Sequence, residues 1–288
     1  MISFRQHLVS LVAVFLALAV GIVLGGGPLE ELGRDATVSA PTSAKDASAR
    51  RTAAFANSFA AGAGPRLYAG GLKDRPVSLV TLPGSDDETV RELAGQVEAA
   101  GGYVASTYAV LPAMVNPSKK SLVDALGSQL LPQVRKEDVD RSASTYVRAG
   151  QLLGLVVASP GLPPAQASAV GQSLEGADLI DVPDSPDRAA LVLVVLGDDV
   201  NDAILSGLLS GLAANAFAVV VAGDAASGLA EGDLATLRGS DSAGTVTTVD
   251  GVDTALGRVT AVLALIRSLK VRGGSFGAAG SDGSVPLG

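Results

Sequence analysis

The chain has 288 residues, a net charge of −8 at pH 7, a single histidine and no cysteine. The histidine is His7, so nothing after it carries an imidazole or a thiol, which excludes disulfides, histidine-dependent triads and thiol catalysis there. Most of the acid excess lies after Gly150, which argues against nucleic acid as a partner of that half.

The first predicted element is a membrane-spanning helix over residues 8–25, LVSLVAVFLALAVGIVLG. This uncharged stretch reaches roughly 27 Å at about 1.5 Å per residue, close to the thickness of a bilayer core. Residues 1–7 form a flank containing Arg5 and His7, so the positive-inside rule predicts a cytoplasmic N-terminus and an extracytoplasmic remainder. A cleaved signal peptide is the alternative, but its apolar region would be shorter. We expect a single-pass protein of the cell membrane.

One face of this predicted helix carries only small side chains, at four-residue intervals: Ala13, Ala17, Gly21 and Gly25. Small residues at this spacing allow two membrane helices to approach closely. We therefore expect the helix to pair with a second copy or with another membrane protein, giving a homo-oligomer or a hetero-complex.

Residues 26–63 are predicted to form a membrane-proximal connector, or short helical stalk. Its alanine-rich part, residues 42–61, has helical character, and Pro41 interrupts the segment before it. A coiled coil would need a sustained heptad of larger apolar residues, which this stretch lacks.

Residues 64–272 are predicted to form an α/β domain. Predicted strands cover residues 76–82, 103–110, 177–182, 189–196, 217–222 and 245–249. Predicted helices cover residues 86–100, 117–126, 164–174, 200–215 and 258–271, with another within 138–158 and Ser85 as the N-cap of the first. Because strands and helices alternate, the sheet should be mostly parallel and covered by helices. The Gly/Ser-rich residues 273–288 are predicted to be a flexible tail.

Two acidic clusters, at residues 86–88 and 198–202, stand where strands hand over to helices. Ligands bind at such positions in α/β folds, and carboxylates there are able to hold Mg²⁺ or Ca²⁺. Acidic residues also complement helix N-termini, and we favour this interpretation. No glycine-rich nucleotide-binding motif is present, and Met114 is the only soft-metal ligand after residue 25. We predict no catalytic residue, no cofactor, no metal site and no enzymatic activity.

Both ends of the chain carry distinctive motifs. Residues 2–7, ISFRQH, run into VFLALAVGIVLG at 14–25, and residues 248–259 read TVDGVDTALGRV. Together they resemble the actinobacterial MctB copper transporter family, including its SteB-like branch. The residues that carry the resemblance, and that are candidates for partner binding, are Arg5, Gln6, His7, Asp250, Asp253, Thr254 and Arg258.

This resemblance implies two functions. The first, which we favour from the sequence, is a non-enzymatic envelope scaffold that pairs with a SteA-like membrane protein in the control of cell-wall hydrolysis and cell separation. The alternative is copper homeostasis or efflux, in which a channel forms only as an oligomer. Whether copper is a direct ligand stays open at this point.

The closing motif also has a purely structural interpretation. Asp253 or Thr254 is able to cap the last predicted helix, and Arg258 is able to pair locally with Asp250 or Asp253. We favour this structural role for the motif, with partner binding as the alternative.

Overall fold

The computed structural model describes residues 44–158, 162–240 and 242–287. The predicted membrane helix, its small-residue face and the Arg5–Gln6–His7 motif lie outside these residues. Within the described part of the chain, every helix is too short or too polar to cross a bilayer. The chain divides into two units, residues 1–53 and 54–288.

Helix α1, Ala44–Leu67, covers the described part of the alanine-rich stretch 42–61 that was predicted to be helical and continues beyond it; residues 26–43 of the predicted connector lie outside the described residues. The second half of α1 is part of the larger unit, because Ala60 is buried in the core and a Cβ at Gly64 would collide with the Val259 side chain. The compact unit therefore begins at Ala54, before the predicted domain boundary at residue 64.

A seven-stranded sheet forms the centre of this unit, in the order β3-β2-β1-β4-β5-β6-β7. All pairs are parallel except β2 with β3, so the prediction of a mostly parallel sheet is confirmed. The strands are β1 Pro76–Thr81, β2 Tyr103–Val110, β3 Ile180–Asp181, β4 Leu191–Val195, β5 Ala218–Gly223, β6 Thr247–Asp250 and β7 Gly274–Phe276.

Helices cover both faces of the sheet, as predicted for this alternation of elements. One face carries α3 to α8, and the other carries α1, α2 and α9. The helices after α1 are α2 Asp87–Ala99, α3 Pro112–Val115, α4 Lys120–Leu130, α5 Thr145–Val157, α6 Pro164–Glu175, α7 Asp202–Ala214, α8 Asp233–Arg238 and α9 Ala255–Ser268. Short 3-10 turns occur at Pro117–Lys119, Leu131–Gln133 and Ala226–Gly228.

The two faces of the sheet bury separate hydrophobic cores, and β4 belongs to both. Its Val192 and Val194 pack among α3 to α8, whereas Leu191, Leu193 and Val195 pack against the helices of the opposite face. Successive side chains of a strand point to opposite faces, so a strand covered on both sides must be apolar throughout. The continuous apolar run predicted this burial.

The prediction of a flexible tail from residue 273 is wrong at its start. Gly274–Phe276 forms β7, which pairs in parallel with β6, and Phe276 is buried in the core on the α9 face. The Arg267 guanidinium lies 5.1 Å from the centroid of the Phe276 ring. Because glycine and serine surround Phe276, this segment lacks the alternation of apolar and polar residues that indicates a strand.

Candidate functional site: an acidic crevice at the switch point of the sheet

A crevice of about 770 Å³ opens at the carboxyl ends of the central strands. The strand order reverses between β1 and β4, and open α/β sheets bind ligands at such a switch point. We call it the acidic crevice, because its lining contains the carboxylates of Asp86, Glu88, Glu92, Asp199, Asp224, Glu231, Asp233 and Asp253.

Two loops, after β1 and after β4, form the floor of the acidic crevice. The Asp198 N–H donates to the Pro83 carbonyl oxygen at 2.8 Å, so the loops pass in direct contact. A Cβ at Gly197 would collide with the backbone of this first loop. Gly84, with φ of 78°, adopts a left-handed conformation and faces the Asp198 carboxylate. The floor therefore depends on glycine at both positions.

The first predicted acidic cluster supplies a helix cap and part of the crevice wall. Asp86, rather than the predicted Ser85, is the N-cap of α2, because its extended backbone places Oδ2 2.7 Å from the Thr89 N–H that donates to it. This hydrogen bond lowers the pKa of the Asp86 carboxyl. A helix N-terminus attracts anions, and here the chain's own carboxylate fills that position, which argues against a phosphate ligand despite the Rossmann-like strand order.

Asp233, which the sequence did not single out, is the most enclosed acid of the crevice at 7% exposed. Its Oδ2 accepts a hydrogen bond from the Val200 N–H at 3.3 Å. Burial raises the pKa of Asp233, and the nearby carboxylates of Asp199 and Asp202 raise it further. The segment from β4 into α7 and the start of α8 thus place Asp199 and Asp202 near enough to Asp233 to influence its charge.

Some residues of the closing motif, 248–259, line the crevice, and others stabilise the elements that surround it. Thr254 caps α9, with Oγ1 accepting a hydrogen bond from the Gly257 N–H at 3.1 Å, so the predicted capping is confirmed. Asp253 lines the crevice and accepts a hydrogen bond from the Ala225 N–H at 2.9 Å, which joins the loops after β5 and β6.

Arg258 also lines the crevice, but its predicted pairing with Asp250 or Asp253 is wrong. Its Nη2 lies 2.8 Å from Glu92 Oε2 on the neighbouring helix α2, and its Nη1 donates to the Val252 carbonyl oxygen at 2.9 Å. This ion pair between α9 and α2 takes the place of the predicted pair with Asp250 or Asp253. It also compensates the positive charge of Arg258 in the crevice.

Asp250 is buried and forms an ion pair with Arg238, Oδ1 to Nη2, at 2.7 Å. Arg238 Nη2 also donates to the Phe276 carbonyl oxygen, and Asp250 Oδ2 accepts from the Ala279 N–H at 3.1 Å. Asp250 therefore ties β6 to α8 and to the segment after β7. This position is structural, as the second interpretation of the motif predicted.

The donor chemistry of the crevice consists of oxygen atoms. Within the described ranges, no three histidine, cysteine or acidic side chains converge closely enough to hold a metal ion. Met114 is fully buried in the core on the opposite face from α9 and does not line the crevice. Cu(I) prefers sulfur and imidazole ligands, whereas Cu(II) accepts oxygen donors. Of the two oxidation states of copper, the oxygen atoms of the crevice therefore suit Cu(II).

Comparisons with known proteins give one consistent family. Residues 1–287 match the family described as "Copper transport outer membrane protein, MctB". The protein named "Copper transporter MctB" of Mycobacterium tuberculosis is 30% identical over 294 residues, covering 92% of each chain. The protein of the same name from Mycobacterium leprae is 32% identical over 304 residues, again covering 92% of each chain.

Proposed function

The chain belongs to the MctB family, and from this membership we propose that it acts in copper homeostasis at the cell envelope, with the acidic crevice as its functional site. The resemblance of its two terminal motifs to that family is confirmed. The SteB-like role in cell separation stays a prediction, because the names of the relatives concern copper.

The observation that carries this proposal is the concentration of carboxylates around the switch point of the sheet. Fixed negative charges in a cleft raise the local concentration of cations by electrostatic attraction. Among divalent first-row metals, Cu²⁺ binds most tightly to a given set of oxygen donors. Copper is cargo in this proposal: it associates weakly with the crevice and exchanges readily.

We propose that the protein is not an enzyme and that its copper role depends on assembly in the membrane. A single apolar helix provides no polar lumen, so any pore would be formed by several copies or with a membrane partner. The predicted small-residue face at Ala13, Ala17, Gly21 and Gly25 supports such pairing.

The proposal is tested by complementing a strain that lacks the gene and measuring growth in copper and cell-associated copper. The crevice variant Glu88→Gln, Asp199→Asn, Glu231→Gln neutralises three exposed crevice carboxylates that form no hydrogen bond within the described part of the chain. We expect the wild type to restore copper tolerance and this variant to fail.

The matched control, Glu98→Gln, Glu175→Gln, Asp184→Asn, removes the same number of exposed carboxylates outside the crevice and should restore tolerance fully. Unchanged copper tolerance in the deletion strain would refute the copper role. Full restoration by the crevice variant would refute the crevice as its site.

Direct titration of the purified full-length protein tests the chemistry of the crevice. We expect Cu(II) to bind with a dissociation constant weaker than about 0.1 mM, as for exposed carboxylate sites, and to be displaced by salt. The crevice variant should lose this binding. Stoichiometric binding of Cu(I) in the sub-micromolar range would contradict the argument from ligand chemistry.

A further inference from the structure

Exposed cations collect at the side of the sheet opposite to the acidic crevice, where the parallel strands begin. Lys73 and Arg75 precede β1, and Lys270 and Arg272 follow α9 just before β7. None of the four forms an ion pair within the described residues.

A shallow groove of about 260 Å³ lies at this amino-end side, lined by Arg75, Phe217 and Leu269 among others. Phe217 is 43% exposed, and the Arg272 guanidinium lies 5.0 Å from the centroid of its ring. Tyr103, the first residue of β2, is 50% exposed beside Arg75, whose carbonyl oxygen accepts its N–H. We call Arg75, Phe217, Lys270 and Arg272 the amino-end patch.

The amino-end patch has the composition of a protein-binding surface. Arginine and aromatic residues are enriched at the centres of interfaces, and guanidinium groups form paired hydrogen bonds with carboxylates. Two acids are close in sequence to these elements: Asp74 lies between Lys73 and Arg75 in the turn before β1, and Glu98 lies in the last turn of α2. Neither acid forms an ion pair with Arg75, Lys270 or Arg272 within the described residues.

From this charge distribution we infer that the amino-end patch of one copy docks on the acidic crevice of a second copy. A parallel sheet gathers all strand beginnings on one side and all strand ends on the other. The basic and acidic surfaces are therefore fixed at opposite sides of every copy. The contact is head-to-tail, so a pair of copies still presents one free patch and one free crevice and is able to extend.

This inference needs no metal, but it uses the crevice that we propose for copper, so a docked copy and copper would compete for the same carboxylates. The two are tested separately, because assembly is measured without copper and copper tolerance is measured in cells. The test uses the full-length chain in mild detergent at about 0.05 M salt, where surface charges are weakly screened. Light scattering and sedimentation measure the mass of the complexes. Pairing through the predicted membrane helix is common to all variants, so the readout is the fraction of assembly that dissociates at about 0.5 M salt.

Two charge-reversal variants separate the two surfaces. The patch variant carries Arg75→Glu and Arg272→Glu, and the crevice-reversal variant carries Asp199→Lys and Glu231→Lys. Each alone should weaken the salt-sensitive association at least about tenfold, which corresponds to about 1.4 kcal/mol. A control, Lys119→Glu with Lys136→Glu, reverses exposed cations elsewhere and should associate like the wild type.

Mixing the two variants gives the decisive result. The native crevice of the patch variant accepts the native patch of the crevice-reversal variant, and the reversed patch complements the reversed crevice. The mixture should therefore regain salt-sensitive association, with the two variants in a 1:1 ratio. A chain that carries all four substitutions has exchanged its charges and should associate with itself again. These two results together would establish a head-to-tail contact.

Three outcomes would overturn the inference. In the first, the mixture shows no salt-sensitive association; in the second, the patch variant associates like the wild type. In the third, the wild type binds vesicles of anionic phospholipid through the patch without associating with itself, which would assign the patch to a lipid surface. Thermal melting of each variant confirms that the reversed charges leave the fold intact.

Discussion

Asp250 and Asp253 lie three residues apart in one motif, but one is buried in an ion pair and the other is exposed in the acidic crevice. The Asp250 carboxylate is buried against Arg238, and the loss of one partner of a buried ion pair costs about 3–5 kcal/mol. The Asp253 side chain is exposed in the acidic crevice and bridges two loops. Within the motif, the buried Asp250 stabilises the fold, and the exposed Asp253 is available to a ligand.

At the residue scale, Asp233 gives a pH-dependent prediction. Its pKa is raised in the folded state, so the native protein binds more protons than the unfolded chain above the ordinary pKa of an aspartate. The contribution of Asp233 to stability should therefore fall as pH rises through this window, whereas Asp86 and Asp140, whose pKa values are lowered, contribute in the opposite direction. Asp233→Asn, which keeps an acceptor for the Val200 N–H, should stabilise the fold at pH 7 and have no effect below the unfolded pKa.

Urea unfolding at acidic and neutral pH measures this difference. Asp184→Asn, at an exposed loop position outside the crevice, serves as the control and should give the same stability as the wild type at both pH values. If Asp233→Asn were destabilising at pH 7, Asp233 would be held by contacts that favour its charged form.

At the element scale, the crossing of α5 and α7 depends on glycine. A Cβ at Gly150 would collide with the Leu208 carbonyl oxygen, and a Cβ at Gly211 would collide with the Val147 carbonyl oxygen. Glycine on both helices lets the two backbones touch, which brings α7 close to α5 on the same face of the sheet. The loop before α7 carries Asp199 into the crevice.

Gly150→Ala should therefore destabilise the fold by at least about 1–3 kcal/mol, because the methyl group has no space between the two backbones. Gly95→Ala is the matched control, since Gly95 is an exposed helical glycine with nothing near its Cβ position. It should stabilise the fold by about 0.5–1 kcal/mol through the helix propensity of alanine. Chemical denaturation measures the free energy of unfolding of both variants. Equal changes in Gly150→Ala and Gly95→Ala would contradict the close approach of α5 and α7.

The sequence predicts the ends of an element correctly where the local residue pattern determines them. It predicts them poorly where tertiary contacts determine them. The predicted strand at residues 103–110 has the observed bounds. Helix α4 continues past the predicted end at residue 126, because Gly127 packs against the Arg148 side chain. Helix α5 begins only at Thr145, since Asp140 bonds to Ser142 and fixes a turn that competes with helix.

At the scale of the whole molecule, residues 274–276 are part of one cooperative unit rather than an appended tail. Phe276→Ala should lower the free energy of unfolding by about 3–5 kcal/mol and leave a single transition. Phe55→Ala makes the same chemical change at a side chain that is 73% exposed and should cost less than about 1 kcal/mol. Calorimetry checks both, and an unaffected Phe276→Ala variant would show that β7 is not integral to the fold.

The site was only partly predictable from the sequence. Acidic residues after strands indicate the clusters at 86–88 and 198–202, and Asp224, directly after a buried strand, carries the same signal as a single acid rather than a cluster. Glu92 had the pattern of a solvent-facing helix residue, and the short helix α8 at Asp233 has too few residues for a periodicity. The assembly of these acids around one crevice depends on strand order, which no local pattern encodes.

The sheet ends laterally in two very short strands, β3 with two residues and β7 with three. Unpaired N–H and C=O groups along a long outer strand would form a template for further strands, with aggregation as the result. On the β7 flank that template is limited to three residues. On the other flank β3 pairs only with Ala109 and Val110, so residues 103–108 of β2 have no described strand on their outer side, and there the segment through Asp187, whose N–H donates to Ser106 Oγ, lies against β2. Growth by strand addition is therefore disfavoured at β7, and at β2 it would have to displace this segment.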